Sequence, residues 1–278
     1  MSSYYQDKIA VVTGAGSGIG QAIARLLSSN GAKVHCADID LKSAQAVAKE
    51  LGNADAHKVD VTDAAAVTAL AEKIYADDGR VDLLFNNAGI GHAALVQDST
   101  LEDWRRVMDI NVMGVVHGLH AFLPRMQAQG GRSHIINTAS AAGLISLPRM
   151  APYCASKHAV VGLSQSLAAE LADSDASSDI CVTILCPGII NTPIVKNSQM
   201  RGDAASGQAH AVEFYAKKGT SPAKVAADLL KDVQRGRLFC TTPRMEVGGG
   251  WLAQRISPRL AQVITRAGSK GILGLKKD

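Results

Sequence analysis

Aromatic residues are scarce in this chain: Phe, Trp and Tyr together make up 4% of its 278 residues. No run of 18 or more uninterrupted apolar residues occurs, so the sequence offers no transmembrane helix. The polar opening MSSYYQDK leads directly into a strand pattern and does not read as a signal peptide. The cysteines, Cys36, Cys154, Cys181, Cys186 and Cys240, are odd in number and contain no CxxC pair. That spacing argues against a disulfide framework and for buried thiols in a reducing, cytoplasmic compartment. A net charge of +4 without a basic stripe interleaved with aromatics argues against nucleic acid as a partner. His117 and His120 are three apart on one expected helix but lack further ligands at zinc spacing, so no metal is expected.

Apolar residues, by contrast, reach 47% against 19% charged, enough for a large core. Short β-branched runs alternate with helical patterns. KIAVVT precedes a helix over 18–29, KVHCA one over 41–51, AHKVDV one over 64–77, and VDLLFN one over 101–127. HIINTAS, a helix near 152–171, CVTILCPG, a helix near 222–234 and the strand RLFCT follow. Ile9–Val12, Val81–Phe85 and Val182–Leu185 are continuously apolar, as expected of parallel strands buried on both faces. The expected fold is α/β: a Rossmann-like doubly wound seven-stranded parallel sheet with helices on both faces. With no linker before residue 240, residues 1–243 form one expected domain, followed by an extension over 244–278.

In such sheets ligands bind beyond the carboxyl ends of the strands. The first strand is followed there by Thr13, Gly14, Ala15, Gly16, Ser17, Gly18, Ile19 and Gly20, then a helix. Glycines let backbone approach a pyrophosphate closely, and the helix N-terminus supplies N–H donors. Asp38 ends the second strand eighteen residues after Gly20, the place of an acid that binds the adenosine ribose. A ribose phosphate about 4 Å from that carboxylate would cost about 4 kcal/mol at an effective dielectric of ~20, roughly three orders of magnitude in affinity. NAD is therefore expected over NADP. Lys42 is a possible rescuing cation, and a solvated lysine on the next helix is the plainer reading; Ser17 and Ile39 bring no charge.

Ser140 follows the fifth strand, and Tyr153 and Lys157 lie four apart on the next helix, about one turn apart on one face. A phenol with an ordinary pKa of about 10 becomes a usable base when cations stabilise the phenolate, so Tyr153 is expected to take the proton during oxidation and return it during reduction. Ser140 is expected to hold the substrate oxygen.

These motifs resemble those of the short-chain dehydrogenase/reductases, and the resemblance runs from about residue 7 to about 240. TGAGSGIG at 13–20 is similar to the family's cofactor loop, Asp60 and Val61 to its adenine-contacting pair, and NNAG at 86–89 to its motif after strand four. The resemblance implies cofactor contacts at Gly14, Ser17, Gly18, Ile19, Gly20, Asp38, Asp60, Val61, Asn87, Gly89, Tyr153 and Lys157. Pro187, Gly188, Ile190 and Thr192 resemble the turn that holds the nicotinamide carboxamide. Asn111, within WRRVMDINVMG, completes an implied tetrad with Ser140, Tyr153 and Lys157. In the family that asparagine sits in a kinked helix and holds a water linking the lysine to solvent. The implied activity is hydride transfer between NAD and a secondary alcohol or ketone, with a bulky apolar substrate expected. The alternatives are an NADP-linked carbonyl reductase and a non-catalytic nucleotide-binding sensor. Family resemblance also implies a homo-oligomer, a tetramer or a dimer, using helices after strands four and five.

Other residues are read more plainly. Cys154 and Cys186 are expected to be packing residues, and His92 either lines the substrate pocket or is a polar loop residue. Residues 192–220 are expected to form a substrate lid with a short helix near 208–217, offering Met200, His210, Phe214 and Tyr215. Within 244–278, Arg244, Arg255, Arg259, Arg266, Lys270, Lys276 and Lys277 oppose only Glu246 and Asp278, seven positive against two negative, or +5. With Trp251, Leu252, Ile256, Leu260, Val263 and Ile264 interspersed, contact with the substrate or a neighbouring subunit is favoured, with an anionic membrane surface as the alternative.

Overall fold

The computed structural model describes residues 4–173 and 179–275. At the centre of the sheet β1 (Ile9–Thr13) pairs in parallel with β2 (Lys33–Asp38) on one side and β4 (Leu83–Asn86) on the other. Outside β2 lies β3 (Ala54–Lys58); beyond β4 follow β6 (Ser133–Thr138), β7 (Ile180–Pro187) and β9 (Phe239–Thr242). The order β3-β2-β1-β4-β6-β7-β9, all parallel, is the expected doubly wound arrangement.

Side chains alternate across these strands into two cores. Val11, Leu84, Ile135 and Ile184 pack with α3 (Ala64–Asp78), α5 (Gly114–Gln129) and α6 (Ala151–Asp173). Val12, Phe85, Ile136 and Leu185 pack with α1 (Gly18–Ser29), α2 (Leu41–Leu51) and α10 (Pro222–Gln234). Local chemistry sets several helix ends. Asp40 caps α2 by accepting from the Lys42 amide, and Asp63 caps α3 by accepting from Ala65 and Ala66.

Three places depart from the expected elements. The helix over 101–127 is divided into α4 (Leu101–Met108), a π-helical turn at Asp109–Met113, and α5. β3 stops at Lys58, so Val59–Val61 turn into the cleft instead of continuing the strand. Two-residue strands β5 (His92–Ala93) and β8 (Gln199–Met200) pair with each other, too short to leave a periodic signal.

The segment after β7 contains α7 (Ile194–Asn197), β8, α8 (Asp203–Ser206) and α9 (Gln208–Lys218). The extension forms α11 (Arg244–Ile256) and α12 (Pro258–Leu273), broken at Ser257, whose side chain caps α12. Leu273 joins Ala93, Val195, Ala204 and Ala211 in a small core, so α12 backs α9 of the same chain. Lys276, Lys277 and Asp278 lie outside the described residues. No helix among the described residues is long and apolar enough to cross a membrane.

Candidate active site

Strand order reverses between β1 and β4, and a cleft opens there at the carboxyl ends. Gly14 and Gly18 adopt φ of 66° and 55°, the left-handed region that favours glycine. A Cβ on Gly20 would lie 2.2 Å from the Gly14 carbonyl oxygen, so α1 starts directly against the turn. Thr13 ties this turn to the next strand. Its hydroxyl donates to Phe85 O (3.2 Å) and accepts from the amides of Asn87 (2.9 Å) and Ala88 (3.1 Å), while Asn87 Nδ2 donates to Thr13 O (3.0 Å).

Asp38 is held at the mouth of the cleft. Its Oδ2 accepts from the Gly16 amide at 2.8 Å and its Oδ1 from the Asp40 amide at 3.0 Å. The cleft is lined by Asp38 and Ile39, and among its lining residues the sole cation is Lys157. Lys42 is exposed and does not line it. These residues fit a dinucleotide: backbone bare of Cβ atoms where phosphates would rest, and a carboxylate where a ribose would bind.

Deeper in the cleft, Tyr153 and Lys157 project from α6. Lys157 Nζ lies 5.8 Å from the Tyr153 ring centroid and donates to Thr138 O at 2.9 Å. Burial lowers the Lys157 ammonium pKa to about 8. Burial also raises the Tyr153 phenol above its ordinary value, against the opposing effect of its hydrogen bond with Ser140. Burial is the largest cause of that shift. Ser140 accepts from the Ala142 amide at 3.1 Å, which orients its hydroxyl.

Asn111 sits within the π turn, fully buried. Its Oδ1 accepts from the Ile90 amide (2.8 Å), and its Nδ2 donates to Ile90 O (3.0 Å) and to Ser156 Oγ (3.1 Å). Both ends of the amide are engaged, and the side chain clamps the loop after β4 onto α6. A second buried chain runs from Asn86 Nδ2 to Asn137 Oδ1 (2.9 Å), then from Asn137 Nδ2 to Ser164 Oγ (2.9 Å), joining β4 and β6 to the helix that carries Tyr153. Thr13, Asn86, Asn137, Ser156 and Ser164 were not singled out as site residues, because their partners lie far away in sequence.

The cleft brings together Gly14, Ser17, Gly18, Ile19, Asp38, Asp60, Val61, Asn87, Gly89, Tyr153, Lys157, Pro187 and Thr192. Gly20, Asn111, Ser140, Gly188 and Ile190 are not among the lining residues, Ser140 meeting the cleft through its hydrogen bond with Tyr153. Gly188 donates to Thr242 O (2.8 Å), and Ile190 packs into the α10 core. His92 is buried, hydrogen-bonded to Ser99 Oγ at 3.1 Å, and is not in the lining. His117 bonds Val61 O through Nδ1 at 2.8 Å, anchoring that turn, and no group of metal-ligating side chains occurs among the described residues. Cys154 and Cys186 are buried free thiols, the latter with a pKa raised to about 12 by burial.

A nucleotide-shaped cleft ending on a buried serine, tyrosine and lysine defines a dinucleotide-dependent oxidoreductase. The chain belongs to the short-chain dehydrogenase family, whose model, "short chain dehydrogenase", matches residues 8–202. It is similar to a cyclohexanol dehydrogenase from Acinetobacter sp. (strain SE19), 39% identical over 70% of this chain and 78% of that one. It also resembles a D-threitol dehydrogenase from Mycolicibacterium smegmatis, 42% identical over 59% of this chain and 64% of that one. A crystal structure of a short-chain dehydrogenase/reductase from Burkholderia phymatum in complex with NAD superposes with a TM-score of 0.86, at 32% identity over 94% of this chain and 96% of that one. The chain is thus an oxidoreductase of the alcohol dehydrogenase type, acting on CH–OH groups.

Proposed function

We propose that the protein is an NAD-linked dehydrogenase of bulky, largely apolar secondary alcohols, working with ketones in reverse. The observation that carries the cofactor choice is the anchored Asp38 carboxylate at a cleft mouth whose lining residues there include no cation. Initial rates with the two cofactors test it: NADP should be poorer by about two to three orders of magnitude in kcat/KM, and equal rates would overturn the reading.

When bound, the nicotinamide supplies the hydride acceptor for oxidation or donor for reduction. Ser140 holds the substrate oxygen, and Tyr153 moves the hydroxyl proton at its phenolic oxygen. Lys157, fixed by Thr138, holds positive charge near that phenol and would contact the bound cofactor. Asn111 positions α6, and a water held beside it would link the lysine to solvent. Gly14, Ser17, Gly18, Ile19, Asp60, Val61, Asn87, Gly89, Pro187 and Thr192 would line the bound dinucleotide.

Ile90 and Ile194 in the cleft, and Leu147 and Met150 packed around Tyr153, support an apolar substrate. The cyclohexanol dehydrogenase relative agrees with an alicyclic alcohol, and a screen of NADH formation across secondary alcohols tests this. Residues 192–220 act as the lid, residues 1–243 as the catalytic domain, and the working form is a homo-oligomer. Five free thiols support a reducing, cytoplasmic setting.

A further inference from the structure

The inner face of α12 is used up in packing on the lid, yet the helix carries a second apolar stripe. Ala261, Thr265, Ser269, Ile272 and Leu273 face inward and are buried or half-buried. Leu260, Val263 and Ile264 face outward, exposed by 55%, 66% and 55%, with exposed Ala267 continuing the same i, i+3, i+4, i+7 spacing. On α11, Met245, Leu252 and Ile256 are likewise exposed and fall on one stripe, seven and four residues apart. A solvent-facing helix back gains nothing from this much apolar surface.

Charge indicates the occupant. Arg259 and Arg266 lie seven residues apart on one exposed flank of the outer stripe of α12, and exposed Arg255 stands over the Trp251 ring at 5.1 Å. The single acid of α11 and α12 is exposed Glu246 in the first turn of α11, and from Val247 to Leu275 there is no Asp or Glu. A second copy laid on this face would bring the same arginines, with Glu246 at the far end of α11 as the one acid to meet them. An anionic surface would satisfy both the apolar stripe and its basic flank.

We propose that the outer face of α11 and α12 docks on an anionic lipid surface, lying in its plane without crossing it. The test is sedimentation of the full chain with vesicles of phosphatidylcholine alone and of phosphatidylcholine mixed with phosphatidylglycerol. Binding should be substantial only with phosphatidylglycerol and should fall as salt rises. Arg259→Gln with Arg266→Gln should weaken partitioning roughly thirtyfold, the effect of two charges near an anionic leaflet. Val263→Ser with Ile264→Ser should also release the protein from vesicles, while NADH fluorescence titration, unchanged in both variants, shows the fold intact. Three outcomes would overturn the proposal. The full chain could stay in the supernatant with both vesicles, or the arginine variant could bind as the parent does. The serine variant could instead halve the solution mass by light scattering while vesicle binding persists, which would make the stripe an interface between copies.

Discussion

Two buried ionisable groups stand side by side on α6 at the inner end of the cleft, and burial moves their pKa values apart, raising Tyr153 and lowering Lys157 to about 8. A phenol whose pKa is raised stays protonated through neutral pH, which suits proton donation during ketone reduction. Oxidation requires the phenolate, so initial oxidation rates should climb as pH rises through the alkaline range while reduction rates fall; a flat oxidation profile would contradict this. Tyr153→Phe removes the transferable proton and should lower kcat by about 10²–10⁴-fold, while NADH binding followed by fluorescence stays close to the parent. Asp38 depends on its neighbour Gly16: a Cβ there would sit 2.7 Å from Ser43 Cβ and 2.9 Å from Asp38 Oδ2. Gly16→Ala should displace the carboxylate and raise KM for NAD with little change in kcat, a split that steady-state kinetics reads directly.

The helix that carries Tyr153 and Lys157, α6, is held from two sides by polar groups, Asn111 with Ser156 and Asn137 with Ser164. Ser164→Ala would leave the Asn137 amide buried without that acceptor, and should cost about 1–3 kcal/mol in urea unfolding. Elements with strong local chemistry were legible in the sequence. α1, α2 and α10 begin at Gly18, Leu41 and Pro222, as the helical patterns implied, with Asp40 and Ser221 capping the latter two, and the strands that flank them follow their apolar runs. The π turn around Asn111 was not read from periodicity, since the expected helix ran unbroken over 101–127; the family resemblance alone implied the kink. β5 and β8 were invisible, since each exists through pairing with the other across more than a hundred residues.

For the molecule as a whole, the segment over the cleft is bolted at several points. Arg149 bonds Asp203 through Nε and Nη2 at 2.8 and 2.6 Å, Arg201 bonds buried Asp103 at 2.6 and 3.0 Å, and α12 backs α9 through Leu273. If residues 192–220 close on bound cofactor, proteolysis between 195 and 218 should slow when NADH is added; equal cleavage with and without it would count against a lid. Ending the chain at Ser257 should speed that cleavage by uncovering the small core around Ala211. The sequence by itself determined the doubly wound fold, the glycine turn, Asp38 and the Ser140, Tyr153, Lys157 set, because each rests on local spacing: strand, turn and helix follow one another within a few residues. Only the tertiary structure decided that Asn111 spends its side chain as a clamp, that Ile190 and His92 leave the cleft, that burial raises the Tyr153 phenol, and that α12 packs one face on α9 and turns another outward. Those outcomes depend on which distant groups meet and how much water is excluded where they do, and neither is written in the spacing of residues along the chain.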